Sequence, residues 1–203
     1  GPQCDGFFVG SDQTDANYDA VHIPHRGPEV YKNMFQKVRS IWSYVYHNYY
    51  NDYDWFHLGG DDMFLIVPNL RYFLDSDEVR TASYWNATHQ TPLFLGLPVA
   101  STFDLNSSLY VTGGPGYTLN KAAIKLLVTR GLQLVAGRRA SAEDFFISRS
   151  MIGLNVTPYP THDNNTRQER YHHFPPGRVS EPDPKSIPFW FRKYSRPFNR
   201  SSS

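Results

Sequence analysis

An α/β fold with a mainly parallel central sheet flanked by helices follows from the way apolar residues are grouped along the chain. Short apolar runs closed by glycine or proline alternate with longer stretches whose apolar residues recur at three- and four-residue steps, the pattern of strands joined through helices. The 203 residues are 40% hydrophobic and 19% charged, the composition of a folded globule of one domain.

The elements read in order. "CDGFFVG" is a short buried strand ended by glycine. From Pro28, suited to a first helical turn, to Tyr50, the residues Val30, Met34, Val38, Ile41, Trp42, Val45 and Tyr49 make one apolar stripe and predict a helix. "DWFHLGG" is a second strand, and Asp61 and Asp62 follow it. "NLRYFLDS" predicts a short helix, and "PLFLGLPVA" a third buried strand. A strand ending at Thr112 leads into the glycine turn "GGPG". A helix then starts near Asn120, a good N-cap, and stops at Gly131. "SAEDFFISRSMIGLN" is a further helix and "NVTPYP" strand-like. From His162 proline and polar residues dominate, which predicts irregular chain.

The formal net charge of +1 gives no global signal for nucleic acid or a membrane surface, and the basic cluster in "WFRKYSRPFNR" reads as a solvated tail. Cys4 is the only cysteine, so no disulfide can form within the chain. Five N-x-S/T sequons, at Asn86, Asn106, Asn155, Asn164 and Asn199, are glycosylation acceptors if the chain enters the secretory pathway. No signal peptide or apolar run of about 20 residues is present. The chain opens almost directly in a strand-like run, which reads as a piece of a longer protein.

Ligands of open α/β sheets bind beyond the carboxyl ends of the strands, where Asp61 and Asp62 are expected. Four blocks, "DWFHLGGDDMFLIVPNLRYFL", "YVTGGPGYTLNKAAIKLL", "AEDFFISRSM" and "ERYHHF", stand in an order and spacing that resembles fringe-like glycosyltransferases, most of all the core-1 β1,3-galactosyltransferase branch. The resemblance covers roughly residues 4–175 and leaves 176–203 as an irregular C-terminal segment. It implies a GT-A fold whose first βα unit is missing from this chain. It also implies a Golgi enzyme of type II membrane topology, with a UDP-sugar donor, a glycan or glycoprotein acceptor, manganese as metal, and inverting transfer into a β1,3 link. UDP-galactose is the leading donor.

Carried over residue by residue, the family's acidic motif falls on Gly60, Asp61 and Asp62, with Asp62 as metal ligand and Asp61 beside the donor. "YHHF" places His172 on the metal-binding histidine. "AED" makes Asp144 the catalytic base with Glu143 beside it, and the turn of Gly113, Gly114 and Gly116 lines the donor sugar. These residue types suit the chemistry. A divalent ion offsets the charge gathering on a departing diphosphate, a carboxylate can take the acceptor's proton, and glycines let a sugar approach backbone. Other readings stay open. "SAED" also fits a capping box with Asp144 at N3, His172 and His173 fit surface histidines, and "GGPG" fits a plain turn. Gly60, where the family has an acid, keeps open a catalytically silent relative acting as a luminal chaperone. Paired acids also leave room for a glycoside hydrolase.

Overall fold

The computed structural model describes residues 4–86, 89–101, 109–166, 168–173 and 195–197. The strands are β1 (Val9–Ser11), β2 (Ala20–His22), β3 (Trp55–Leu58), β4 (Tyr84–Asn86), β5 (His89–Gln90), β6 (Phe94–Gly96), β7 (Pro98–Ser101), β8 (Leu109–Val111), β9 (Tyr117–Asn120), β10 (Pro158–Tyr159) and β11 (Ser195–Pro197). The helices are α1 (Met34–Tyr49), α2 (Val67–Leu74), α3 (Asp77–Ser83), α4 (Lys121–Leu126), α5 (Leu132–Leu134) and α6 (Glu143–Ile152).

The α/β class stands, but the central sheet is mixed rather than mainly parallel. Its order is β10-β6-β9-β3, with β10–β6 parallel and both β6–β9 and β9–β3 antiparallel. The reversal comes from β9, which the sequence hides between a glycine turn and a helix cap. Its residues Tyr117, Thr118, Leu119 and Asn120 are all buried. Alternation sorts the sheet's side chains onto two faces. Phe56, Phe94, Tyr117 and Leu119 pack with Phe35, Val38 and Trp42 of α1, Ile124 of α4, and Ile147 and Met151 of α6. On the opposite face Leu93 and Leu95 pack with Phe73 and Leu74 of α2, Val79 of α3, and Tyr171. Trp42, 1% exposed, is the largest side chain of the first layer, and truncating such a residue to alanine costs about 3–5 kcal/mol.

Asn120 caps α4 as expected, its Oδ1 accepting from the Ala123 N–H at 2.9 Å. The same oxygen accepts from the Leu93 N–H at 3.0 Å, and Nδ2 donates to the Thr91 carbonyl at 2.7 Å, so the cap also pins β6. Several boundaries differ from the sequence reading. The long helix starts at Met34 after a 3₁₀ turn at Tyr31–Asn33, because Asn33 Nδ2 donates to the carbonyls of Arg26 and Pro28 and folds the Pro28 segment back. "PLFLGLPVA" splits into β6 and β7, which belong to different sheets. Gly131 does not end its helix: a π-turn over Leu127–Gly131 continues into α5, and the missing side chain admits Leu127, Leu154 and Ser150. In the C-terminal stretch expected to be irregular, β11 pairs antiparallel with β7. The described residues contain no helix long and apolar enough to cross a membrane.

Candidate functional site

Topology gathers the predicted residues at one end of the sheet. Leu58, the last residue of β3, pairs with Tyr117, the first of β9. The Gly60–Asp62 turn after β3 and the Gly113–Gly116 turn before β9 therefore leave the sheet at the same end. The first turn of α6 and residues 171–173 close on the second of these turns.

Asp61 and Asp62 are exposed at the centre of a turn closed by the Met63 N–H on the Gly60 carbonyl at 3.3 Å. A Cβ at Gly60 would stand 2.8 Å from Asp62 Oδ1, so the absent side chain leaves the Asp62 carboxylate room. His172 is exposed. His173 is half-buried, its ring lies in the space a Cβ on Gly114 would take, and Nδ1 pairs with Thr112 Oγ1 at 3.1 Å. Burial holds the His173 imidazole below its usual pKa, and the Asp62 charge pulls it back up. Asp62 is thus coupled electrostatically to His173. Tyr171 and His173 are turned inward and His172 outward, so the inner imidazole is the second of the pair.

The α6 carboxylates occupy the other side of the glycine turn. Asp144 Oδ2 accepts from the Gly113 N–H at 2.8 Å and Oδ1 from the Phe145 N–H at 2.7 Å. Burial raises its pKa against these two hydrogen bonds. Glu143 Oε2 accepts from the Tyr117 hydroxyl at 3.1 Å, which itself accepts from Trp42 Nε1 at 3.0 Å. Burial, and then the Asp144 charge, push the Glu143 carboxyl up to about 8 against that hydrogen bond. No capping box forms at "SAED": α6 begins at Glu143, the N-cap position is Ala142, and no side chain caps it.

The protein's own side chains pack closely on the glycine turn. A Cβ at Gly113 would lie 2.7 Å from Glu143 Oε1, one at Gly114 would strike His173, and one at Gly116 (φ +71°) would lie 2.6 Å from His57 Nε2. The room these glycines leave is filled by the protein's own polar side chains. His57 was not singled out in the sequence, although a histidine inside the apolar run "WFHL" is a signal. Its Nδ1 pairs with Thr118 Oγ1 at 2.9 Å, Thr118 Oγ1 pairs with the Tyr171 hydroxyl at 2.7 Å, and burial pushes the ring to about 4, so it is neutral. This chain ties Tyr171 to the sheet two residues before His173. The described residues contain no group of three or more His, Cys, Asp or Glu side chains able to hold a metal. Asp62 and His173 supply only one carboxylate and one imidazole, so an ion there would have to complete its shell with substrate oxygens and water.

No protein-family model matches the chain. It is 26% identical over 192 residues to a Glycoprotein-N-acetylgalactosamine 3-beta-galactosyltransferase 1 of Xenopus laevis, a match covering 94% of the chain and 49% of the relative. The chain thus spans about half the length of that curated relative. The similarity supports a relationship to glycosyltransferases, without singling out the fringe-like ones.

Proposed function

We propose that the chain is the catalytic part of a metal-dependent inverting glycosyltransferase that moves galactose from UDP-galactose to a glycan or glycoprotein, forming a β1,3 link in the Golgi lumen as a membrane-anchored glycoprotein. The observation that carries this reading is the meeting of two polar pairs on adjacent glycines, with Glu143 and Asp144 against Gly113 and His173, coupled to Asp62, against Gly114. A direct displacement requires a leaving-group end and a base end that face opposite sides of the sugar's anomeric carbon, and these two pairs of groups flank the glycine turn from its two sides. The galactosyltransferase named above supports the choice of sugar.

In this reading Asp144 takes the proton of the acceptor hydroxyl. The acceptor oxygen bonds the anomeric carbon from the face opposite UDP, and the carbon–oxygen bond to phosphate breaks with its electron pair left on the diphosphate. The raised pKa of Asp144 makes it a better base than an exposed carboxylate, while the Gly113 and Phe145 N–H groups fix its orientation. Manganese held by Asp62 and His173 would neutralise the departing diphosphate. Geometry favours His173 over His172 for this role. Asp61, exposed in the same turn, lies beside the donor.

Gly60 supports a second reading, a silent relative that binds a partner protein in the lumen, because the motif lacks its first acid. A donor screen on the full-length protein with manganese, reading released UDP, separates the two. Sugar-specific UDP release with an acceptor present supports the transferase; binding of neither UDP nor manganese leaves the silent relative.

A further inference from the structure

The Trp42–Tyr117–Glu143 chain is not needed to explain a lone general base. Trp42 Nε1 donates to the Tyr117 hydroxyl, and Tyr117 donates to Glu143 Oε2, so a hydrogen-bonded line runs from the interior of α1, through β9, to the first residue of α6. Tyr117 and Trp42 are 0% and 1% exposed. Beyond the end of this line, Glu143 Oε1 lies so close to Gly113 that a Cβ there would stand 2.7 Å away, and the Gly113 N–H binds Asp144. Glu143 and Asp144 therefore flank one backbone unit, which each of them touches.

We propose that Glu143 is the positioning residue of this site: anchored by Trp42 and Tyr117, it packs against Gly113 and so holds in place the N–H that orients Asp144. The inference rests on the transferase reading above. Two groups that can carry charge act on Glu143, Asp144 from its own helix and Tyr117 from β9; Trp42 of α1 and Gly113 of the turn after β8 are uncharged. Burial outweighs the Tyr117 hydrogen bond and keeps Glu143 protonated near neutral pH. While it is neutral, Glu143 adds no charge beside Asp144. Once Glu143 ionises, two like charges face each other across Gly113 and repel, which loosens Asp144 from its place on the Gly113 N–H.

The test is the pH dependence of kcat/KM in the full-length protein with Glu143→Gln, which keeps an oxygen for Tyr117 and cannot ionise. The unaltered protein should lose activity as pH rises through about 8. Glu143→Gln should push that alkaline limb upward and lower kcat at pH 7 by less than about tenfold, well short of the loss expected for a base. An unmoved alkaline limb, or a loss equal to that of Asp144→Asn at every pH, overturns the inference. Titration of ¹³C-labelled carboxyls gives a readout without turnover: Glu143 should carry its proton at pH 7 and release it well above the ordinary glutamate range. A Glu143 carboxylate already charged at pH 7 overturns the inference even if transfer is robust. Absence of transfer with that titration intact overturns the transferase reading alone.

Discussion

Asp144→Asn tests base and scaffold in one substitution, and the structure separates the two effects. The native carboxylate accepts one N–H on each oxygen, from Gly113 at 2.8 Å and Phe145 at 2.7 Å. An asparagine has one acceptor oxygen, so one of these N–H groups must face an NH₂ donor. Leaving such a donor unsatisfied costs about 1–3 kcal/mol when it is buried, and less at these part-buried positions. At this chain length each kcal/mol lowers the melting temperature by about 2–4 °C, so the variant should fold and melt a few degrees early. The chemical effect is larger. Loss of a general base lowers turnover by about a hundred- to ten-thousandfold, which is about 3–5 kcal/mol in the barrier. UDP release in the presence of acceptor, calorimetric UDP binding and a thermal melt, all on the full-length protein, measure the three quantities. Turnover within a few-fold of normal would refute the assignment of Asp144 as base and leave it a structural clamp on Gly113.

Manganese binding should be weak alone and much tighter with UDP; Asp62→Ala or His173→Ala should abolish that synergy in calorimetry, whereas His172→Ala should leave it. Retention in His173→Ala with loss in His172→Ala would reverse the choice of imidazole. Gly114→Ala should weaken the same synergy without changing either ligand, because its Cβ would enter the space of the His173 ring. Stability should fall as pH rises from about 4.5 to about 8, since over that window the unfolded Glu143 has lost its proton and the folded one keeps it. The displacement of its pKa from 4.5 to about 8 corresponds to a ceiling of about 5 kcal/mol. Denaturant midpoints across that range should flatten in Glu143→Gln, and an equally steep decline there would refute the linkage. Endoglycosidase should lower the mass of the secreted full-length protein: Asn155 and Asn164 are exposed, while the Asn86 side chain, Asn106 and Asn199 lie outside the described residues. No mass change would argue against a luminal location.

What the sequence determined by itself is local. The stripe from Met34 to Tyr49 is a helix because its spacing matches one face, and Asn120 caps α4 because its side chain can reach the Ala123 N–H. The alternation of helix and strand set the α/β class, and "GGDD", "GGPG" and "AED" marked the turns and the helix end that converge in space. Tertiary structure decided the rest. The direction of β9 depends on pairing with β3 and β6, long-range contacts that a four-residue segment cannot announce, and it turned an expected parallel sheet into a mixed one. The rotation of the chain at Tyr171, held by Thr118 and His57, determined that His173 and not His172 faces Gly114. Gly113 and Gly114 let Glu143, Asp144 and His173 come close to the turn, because a missing Cβ admits whichever group the fold brings nearest. Burial, which depends on every layer of the packing, then raised Glu143 to about 8, a property of its place above Tyr117 and Trp42 that the residue's own chemistry could not specify.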